Sequence, residues 1–155
     1  MKIYQSKSSS SVKIMTTGVL SVLVLVTLGL VTTNESDGWI WGLVLGLIIA
    51  STVFYFYANS MNEIVVEDEG VILKKNIGQI YIPKSDIVEV TKLAQTSLTM
   101  TYGSKGVFGF IGNTMDGAIS FVKDRRQMVG ITTTSKKYIL SSERPDELLN
   151  ALRAL

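Results

Sequence analysis

Two apolar runs in the first sixty residues constrain this chain more than any other feature. Ile14 to Val31 is eighteen residues without a charge, and Trp39 to Tyr57 is nineteen, also without one. At ~1.5 Å per residue each makes a helix of about 27–28 Å, close to the thickness of a bilayer's hydrocarbon core. Only Thr32 to Gly38 separates them, so an antiparallel helical hairpin in a membrane is expected. Neither run holds an ionisable residue, and so neither a proton relay nor an ion pathway is indicated within them.

Charge placement orients the hairpin. Lys2, Lys7 and Lys13 precede the first run with no acid among them, whereas the link carries Glu35 and Asp37 and no base. Loops rich in Lys and Arg stay cytoplasmic. The link is therefore expected outside, with both termini in the cytoplasm. Trp39 and Trp41 open the second run and Tyr55 and Tyr57 close it, at the depth amphipathic rings prefer. Met1 to Val12 is polar, with Ser8 to Ser11 in a row, and reads as a disordered cytoplasmic tail. A signal peptide fits less well, because eighteen apolar residues exceed its usual core and no A-x-A-like cleavage site follows. The expected division is a tail over 1–13, a transmembrane hairpin over 14–57 (helices 14–31 and 39–57) and a domain over 62–155.

Gly42, Gly46 and Ala50 recur every four residues and make a smooth stripe on the second helix. Small residues at this spacing let helix backbones approach closely in lipid. The stripe packs against the first helix of the same hairpin or pairs with a second copy of the chain, and the first reading is favoured.

Beyond the hairpin, 94 residues are enough for one small domain with its own core. A net charge of +2 gives no electrostatic footprint for nucleic acid, which is not expected as a partner. Cysteine and histidine are absent, which excludes disulfides, thiolate nucleophiles, Cys/His zinc sites and imidazole bases.

From Asn62 the apolar period becomes two. Ile64–Glu67 and Val71–Lys75 read as strands joined at Asp68-Glu69-Gly70, and Gln79–Ile82 follows the turn Asn76-Ile77-Gly78. Pro83 cannot donate to a ladder, so that strand ends there or lies on an edge. Ile87–Leu93 is a further strand, and Leu98, Met100 and Tyr102 alternate with Ser97, Thr99 and Thr101. Gly103 to Gly117 holds five glycines and reads as a long loop, of a length often functional or mobile. Strands resume over Ala118–Val122, Gln127–Thr133 and Lys137–Ser141. Pro145 then opens a helix with Asp146 and Glu147 in its first turn and Leu148, Leu149, Leu152 and Leu155 at helical spacing. The expected fold is thus a two-helix transmembrane hairpin followed by a mainly-β domain, a partly open barrel of about seven antiparallel strands capped by a C-terminal α-helix.

That order of elements resembles membrane-anchored bacterial pleckstrin-homology-like (PH) domain proteins. Ile80-Tyr81-Ile82-Pro83-Lys84-Ser85-Asp86-Ile87 is similar to the step those domains carry after their third strand. Gly106-Val107-Phe108-Gly109-Phe110-Ile111-Gly112 resembles the aromatic-glycine stretch of one membrane-anchored subfamily. Phe121 to Ile131, with Asp124-Arg125-Arg126 at its turn, resembles the next hairpin of that subfamily, and Tyr138 to Leu152 resembles its final strand and helix. The resemblance covers roughly Glu63 to Leu155. It implies a PH-like binding domain on the cytoplasmic face of a bacterial inner membrane.

PH domains that recognise phosphoinositides generally do so with basic residues around the first hairpin. Here that turn reads Glu67-Asp68-Glu69-Gly70, which would repel phosphate. The candidate membrane or partner contacts are instead Lys123, Arg125 and Arg126, Lys136 and Lys137, and the aromatic pair Phe108 and Phe110. Each basic group near an anionic surface adds about 1 kcal/mol, provided the turns converge; ordinary solvated turns and a loop packed on the barrel are the bland alternative. The short connection Ala58–Asn62 keeps the domain close to the lipid, with the acidic turn pointing away. Asp116 and Asp124 are isolated carboxylates, and no nucleophile elbow or phosphate-binding glycine motif is present. No enzymatic activity and no cofactor are therefore expected. The expected partners are membrane lipids or a membrane or membrane-proximal protein. The alternative is a structural or assembly subunit pairing through its transmembrane helices.

Overall fold

The structure, a computed structural model, describes residues 1–32, 38–95 and 98–155. The expectations resting on Glu35 and Asp37 in the outward link and on Ser97 in the strand alternation fall outside these residues.

Two helices, α1 (Ser10–Val31) and α2 (Gly38–Asn59), are each long and apolar enough to cross a membrane. The first starts four residues ahead of its apolar run, because Ser9 caps it by accepting a hydrogen bond from the Val12 amide at 3.4 Å. They pack antiparallel with little room between backbones. A Cβ on Gly42 would meet Val31 Cγ2 at 2.6 Å, and one on Gly46 would meet Thr27 Cγ2 at 3.3 Å. Those two glycines face α1 of the same chain.

The first correction concerns the N-terminal tail. Lys2–Gln5 is a strand, β1, paired antiparallel with β2 (Met61–Glu67) through Tyr4 opposite Ile64. Tyr4 is 4% exposed and belongs to the main core. Four residues are too few to show a period, and the serines beyond them dominate the composition. A second correction follows at the other helix. α2 ends at Asn59 and β2 begins at Met61, so Ser60 alone stands where a five-residue linker was expected.

β2, β3 (Gly70–Lys75) and β4 (Gln79–Pro83) complete a four-stranded sheet in the order β1-β2-β3-β4, with Pro83 at the end of an edge strand. A single 3₁₀ turn, Lys84–Asp86, leads into the second sheet. That sheet holds β5 (Ile87–Leu93), β6 (Met100–Lys105), β7 (Phe110–Thr114), β8 (Ile119–Val122), β9 (Met128–Thr133) and β10 (Lys137–Ser141), ordered β5-β9-β10-β8-β7-β6. All pairs are antiparallel except β8 with β10. The sheets do not close into one barrel.

The glycine-rich segment is not a long loop. It supplies the end of β6, a four-residue turn and all of β7. Gly103 and Gly112 sit opposite each other with φ of 115° and 143°, and a Cβ on either would strike the facing backbone. Glycine permits this crossing and also erases the apolar alternation by which a strand is recognised. The domain consequently carries nine strands after the hairpin among the described residues, where about seven were expected.

The main core lies between the sheets, and α3 (Pro145–Arg153) closes it with Leu148, Leu149 and Leu152 at 0%, 8% and 2% exposure. A second cluster, including Leu98, Met100, Val122, Met128 and Ile139, is partly covered by Phe110.

Candidate membrane-facing site

Three turns of the β domain gather where the two helices enter it. The β3–β4 turn lies against the end of α2. Asn76 donates its amide to the Ser60 carbonyl (2.9 Å) and its side chain to the Tyr57 carbonyl (3.0 Å), and the Ile77 amide donates to Ala58 (3.0 Å). The last carbonyls of a helix lack intrahelical donors, so this turn acts as the cap. Lys75 Nζ adds a bond to Asn59 Oδ1 at 2.9 Å. Ile77 is left half exposed beside that helix end.

The β6–β7 turn wedges between both helices. Phe108 donates its amide to Thr16 Oγ1 on α1 at 2.8 Å, and its carbonyl accepts from Ser60 Oγ at 3.1 Å. Its ring meets Tyr57 of α2 edge-on, with centroids 6.0 Å apart. These contacts hold Phe108 at φ 58°, a left-handed conformation rare for a bulky residue. Gly106, two residues earlier, leaves room for the sulfur of Met15.

The β8–β9 turn lies at the start of α1. Ser9 donates its amide to the Lys123 carbonyl (3.1 Å), while Ser141 Oγ accepts from the amides of Lys123 (2.8 Å) and Asp124 (3.3 Å). Burial pulls the Lys123 ammonium below its ordinary pKa. Arg125 lies 5.2 Å from the centre of the Phe110 ring and donates through Nη2 to the carbonyls of Gln95 (3.0 Å) and Leu98 (3.2 Å). Its Nε is buried without a partner. Arg126 closes on Asp124, with Nε 3.3 Å from Oδ1, and keeps most of its side chain in solvent. Between this turn and α1 lies a cleft of ≈ 220 Å³.

Lys123, Arg125, Arg126, Phe108 and Phe110 therefore come together near α1, but Lys136 and Lys137 do not join them. β10 pairs Lys137 with Thr132 at one end and Ser141 with Met128 at the other, and Ser141 is the end bonded to Lys123. Four strand steps, about 14 Å, separate the two basic turns. Lys137 is engaged with Asp116 at 2.6 Å. That ammonium and the Thr114 hydroxyl hold the Asp116 carboxyl below its ordinary pKa, which suits an anion and not a general acid. The acidic turn at Glu67–Glu69 sits at the far end of β2 from Met61. Ala50 lines a groove between the helices, alongside Leu20 and Ile49. Among the described residues no group of three Asp or Glu side chains is placed to hold a metal ion.

Sequence reasoning missed Thr16, Tyr57, Ser60 and the Asn76–Ile77 turn as parts of this junction. One signal was available. If β2 starts directly after α2 and Met61 pairs with Lys75, the turn after Lys75 must lie at the end of α2.

A four-stranded sheet and a longer partner sheet, with an amphipathic C-terminal helix over the core between them, define a PH-like domain, here carried on a helical hairpin. The family model for the bacterial PH domain matches residues 62–155, more than half of the chain, and the protein belongs to that family. No curated protein and no solved structure shows a significant match to the chain.

Proposed function

We propose that this is a two-pass protein of the bacterial cytoplasmic membrane, with both termini cytoplasmic, that works by binding and not by catalysis. Its PH domain is held against the bilayer and presents a surface to a membrane-proximal protein or lipid. The observation that carries this reading is the junction itself. α1 and α2 run into neighbouring strands β1 and β2 of one sheet, and the Phe108 turn is bonded to both helices. A hairpin whose two ends enter the same sheet has both ends on one side of the membrane, and the lysine bias makes that side cytoplasmic. Fixed so closely, the domain gains effective concentration for anything else at the surface. The assembly reading loses its main support, because Gly42 and Gly46 are occupied within the hairpin.

Photoreactive residues at Ile77 and at Lys105, the exposed end of β6 where the Phe108 turn begins, with Asp68 as reference, test this in intact membranes. Adducts with a specific membrane component are expected from 77 and 105 and not from 68. Absence of adducts at both membrane-facing positions would contradict the reading.

A further inference from the structure

The cleft between the start of α1 and the β8–β9 turn opens beside the Ser9–Lys123 bond that fastens the turn to the helix. Its lining is of two kinds. Ser9, Ser11, Asp124, Arg125 and Arg126 line its polar part, and Met15 and Phe110 supply apolar surface. Its position along α1 straddles the start of the apolar run: lining residues Ser9 and Ser11 precede Ile14, where the run begins, and lining residue Met15 lies within it. With α1 spanning a bilayer from the start of that run, the cleft would lie near the level at which lipid phosphates give way to acyl chains.

We propose that this cleft binds the phosphodiester headgroup of an anionic glycerophospholipid from the surrounding leaflet, a ligand that rests on the proposed placement of the domain at the membrane surface. Charge fits this ligand. Among the lining residues, two guanidiniums stand against the single carboxylate of Asp124, and that net positive charge suits a phosphodiester. Arg126 is mostly solvent-exposed and would turn from the Asp124 carboxylate toward a phosphate, while Arg125 is fixed by Phe110 and by the Gln95 and Leu98 carbonyls. Guanidinium donors suit phosphate oxygens, and a positioned pair of them outbinds a diffuse basic surface. The apolar surface of Met15 suits the first carbons of the lipid chains, which a soluble phosphate ester lacks.

The test uses the purified full chain in detergent, with dioleoylphosphatidylglycerol and dioleoylphosphatidylcholine offered together and bound lipid counted by native mass spectrometry. Retention of phosphatidylglycerol is expected to exceed that of phosphatidylcholine about tenfold, the scale of one charge-assisted hydrogen bond. Arg126→Gln should remove most of that preference. Ser11→Trp, which fills the cleft from an exposed helix position without touching a charge, should do the same if α1 stays folded by circular dichroism. Lys136→Ser with Lys137→Ser should leave it intact. Equal retention of the two lipids would overturn the proposal, as would a preference that survives Arg126→Gln and Ser11→Trp. Displacement of the lipid by millimolar glycerol 3-phosphate would show a site for free phosphate esters, and overturn it too. Photocapture at Ile77, beside the end of α2, does not depend on this cleft, so the broader reading fails or survives separately.

Discussion

The amide of Phe108 donates a hydrogen bond of 2.8 Å to the hydroxyl of Thr16, joining the tip of the β6–β7 hairpin to the N-terminal end of α1 across 92 residues of sequence. The Thr16 hydroxyl in turn donates to the Val12 carbonyl at 2.7 Å. Thr16→Val keeps the shape and leaves the partly buried amide without its acceptor. It should cost about 1–3 kcal/mol, read as a lower unfolding midpoint of the full chain in detergent. An unchanged midpoint would mean the hairpin tip is not fastened to the helix.

The N-terminal strand makes a second test. Tyr4 lies in the main core, donates its hydroxyl to the Glu147 carbonyl at 3.3 Å and sits under the Arg144 guanidinium. Tyr4→Ala should destabilise the protein by about 3–5 kcal/mol, the range for losing a buried aromatic. Tyr4→Phe, which removes only the hydroxyl, should cost about 1 kcal/mol. If the first residues were a disordered tail, both variants would melt like the parent.

Lys123 yields a pH dependence with a definite sign. Burial lowers its pKa in the folded protein from the ordinary 10.5, so protons bind more tightly to the unfolded chain. The resulting cost is present at every pH below the folded pKa and fades as pH rises toward 10.5. Lys123→Met should therefore raise the unfolding midpoint at pH 7, and the gap from the parent should close as pH approaches 10.5. A variant less stable than the parent at pH 7 would show that the ammonium has a favourable partner after all.

α3 offers a core test at its C-terminal half. Leu152 is 2% exposed, and Leu152→Ala should cost about 2–5 kcal/mol through lost burial and the cavity left behind. A loss below ~1 kcal/mol would place the helix outside the cooperative core.

The legible parts of this fold were those with a strong period or a strong stop. The two apolar runs, the strand Ile87–Leu93 between a 3₁₀ turn and a loop, the strand Lys137–Ser141, and the Pro145 helix all stand close to where their patterns put them. β1 and β7 were hidden for opposite reasons. β1 is four residues long and its strand partner is β2, which lies 56 residues further on from Gln5 to Met61. β7 contains a glycine where a side chain would have marked the alternation. The site was half legible. Basic character at Lys123–Arg126 is written in the sequence, but its separation from Lys136–Lys137 is a consequence of strand register. So is the role of Asn76 and Ile77, which nothing in their own residue types announces.

The hairpin and the domain form one fastened unit, with the Asn76–Gly78 turn at the end of α2 and the acidic turn about 20 Å away along β2. On the proposed placement in a bilayer, the first turn should lie at the lipid surface and the second in water. The chain has no cysteine, so single nitroxide labels at Ile77→Cys and Asp68→Cys need no background substitutions. Depth measurement by electron paramagnetic resonance in anionic liposomes, comparing oxygen with a water-soluble nickel chelate as relaxing agent, reads both heights. The label at 77 should sit at headgroup level, favouring oxygen, and the label at 68 should be relaxed almost only by the chelate. Equal exposure of both labels to the chelate, or a deeper position for 68 than for 77, would contradict that arrangement.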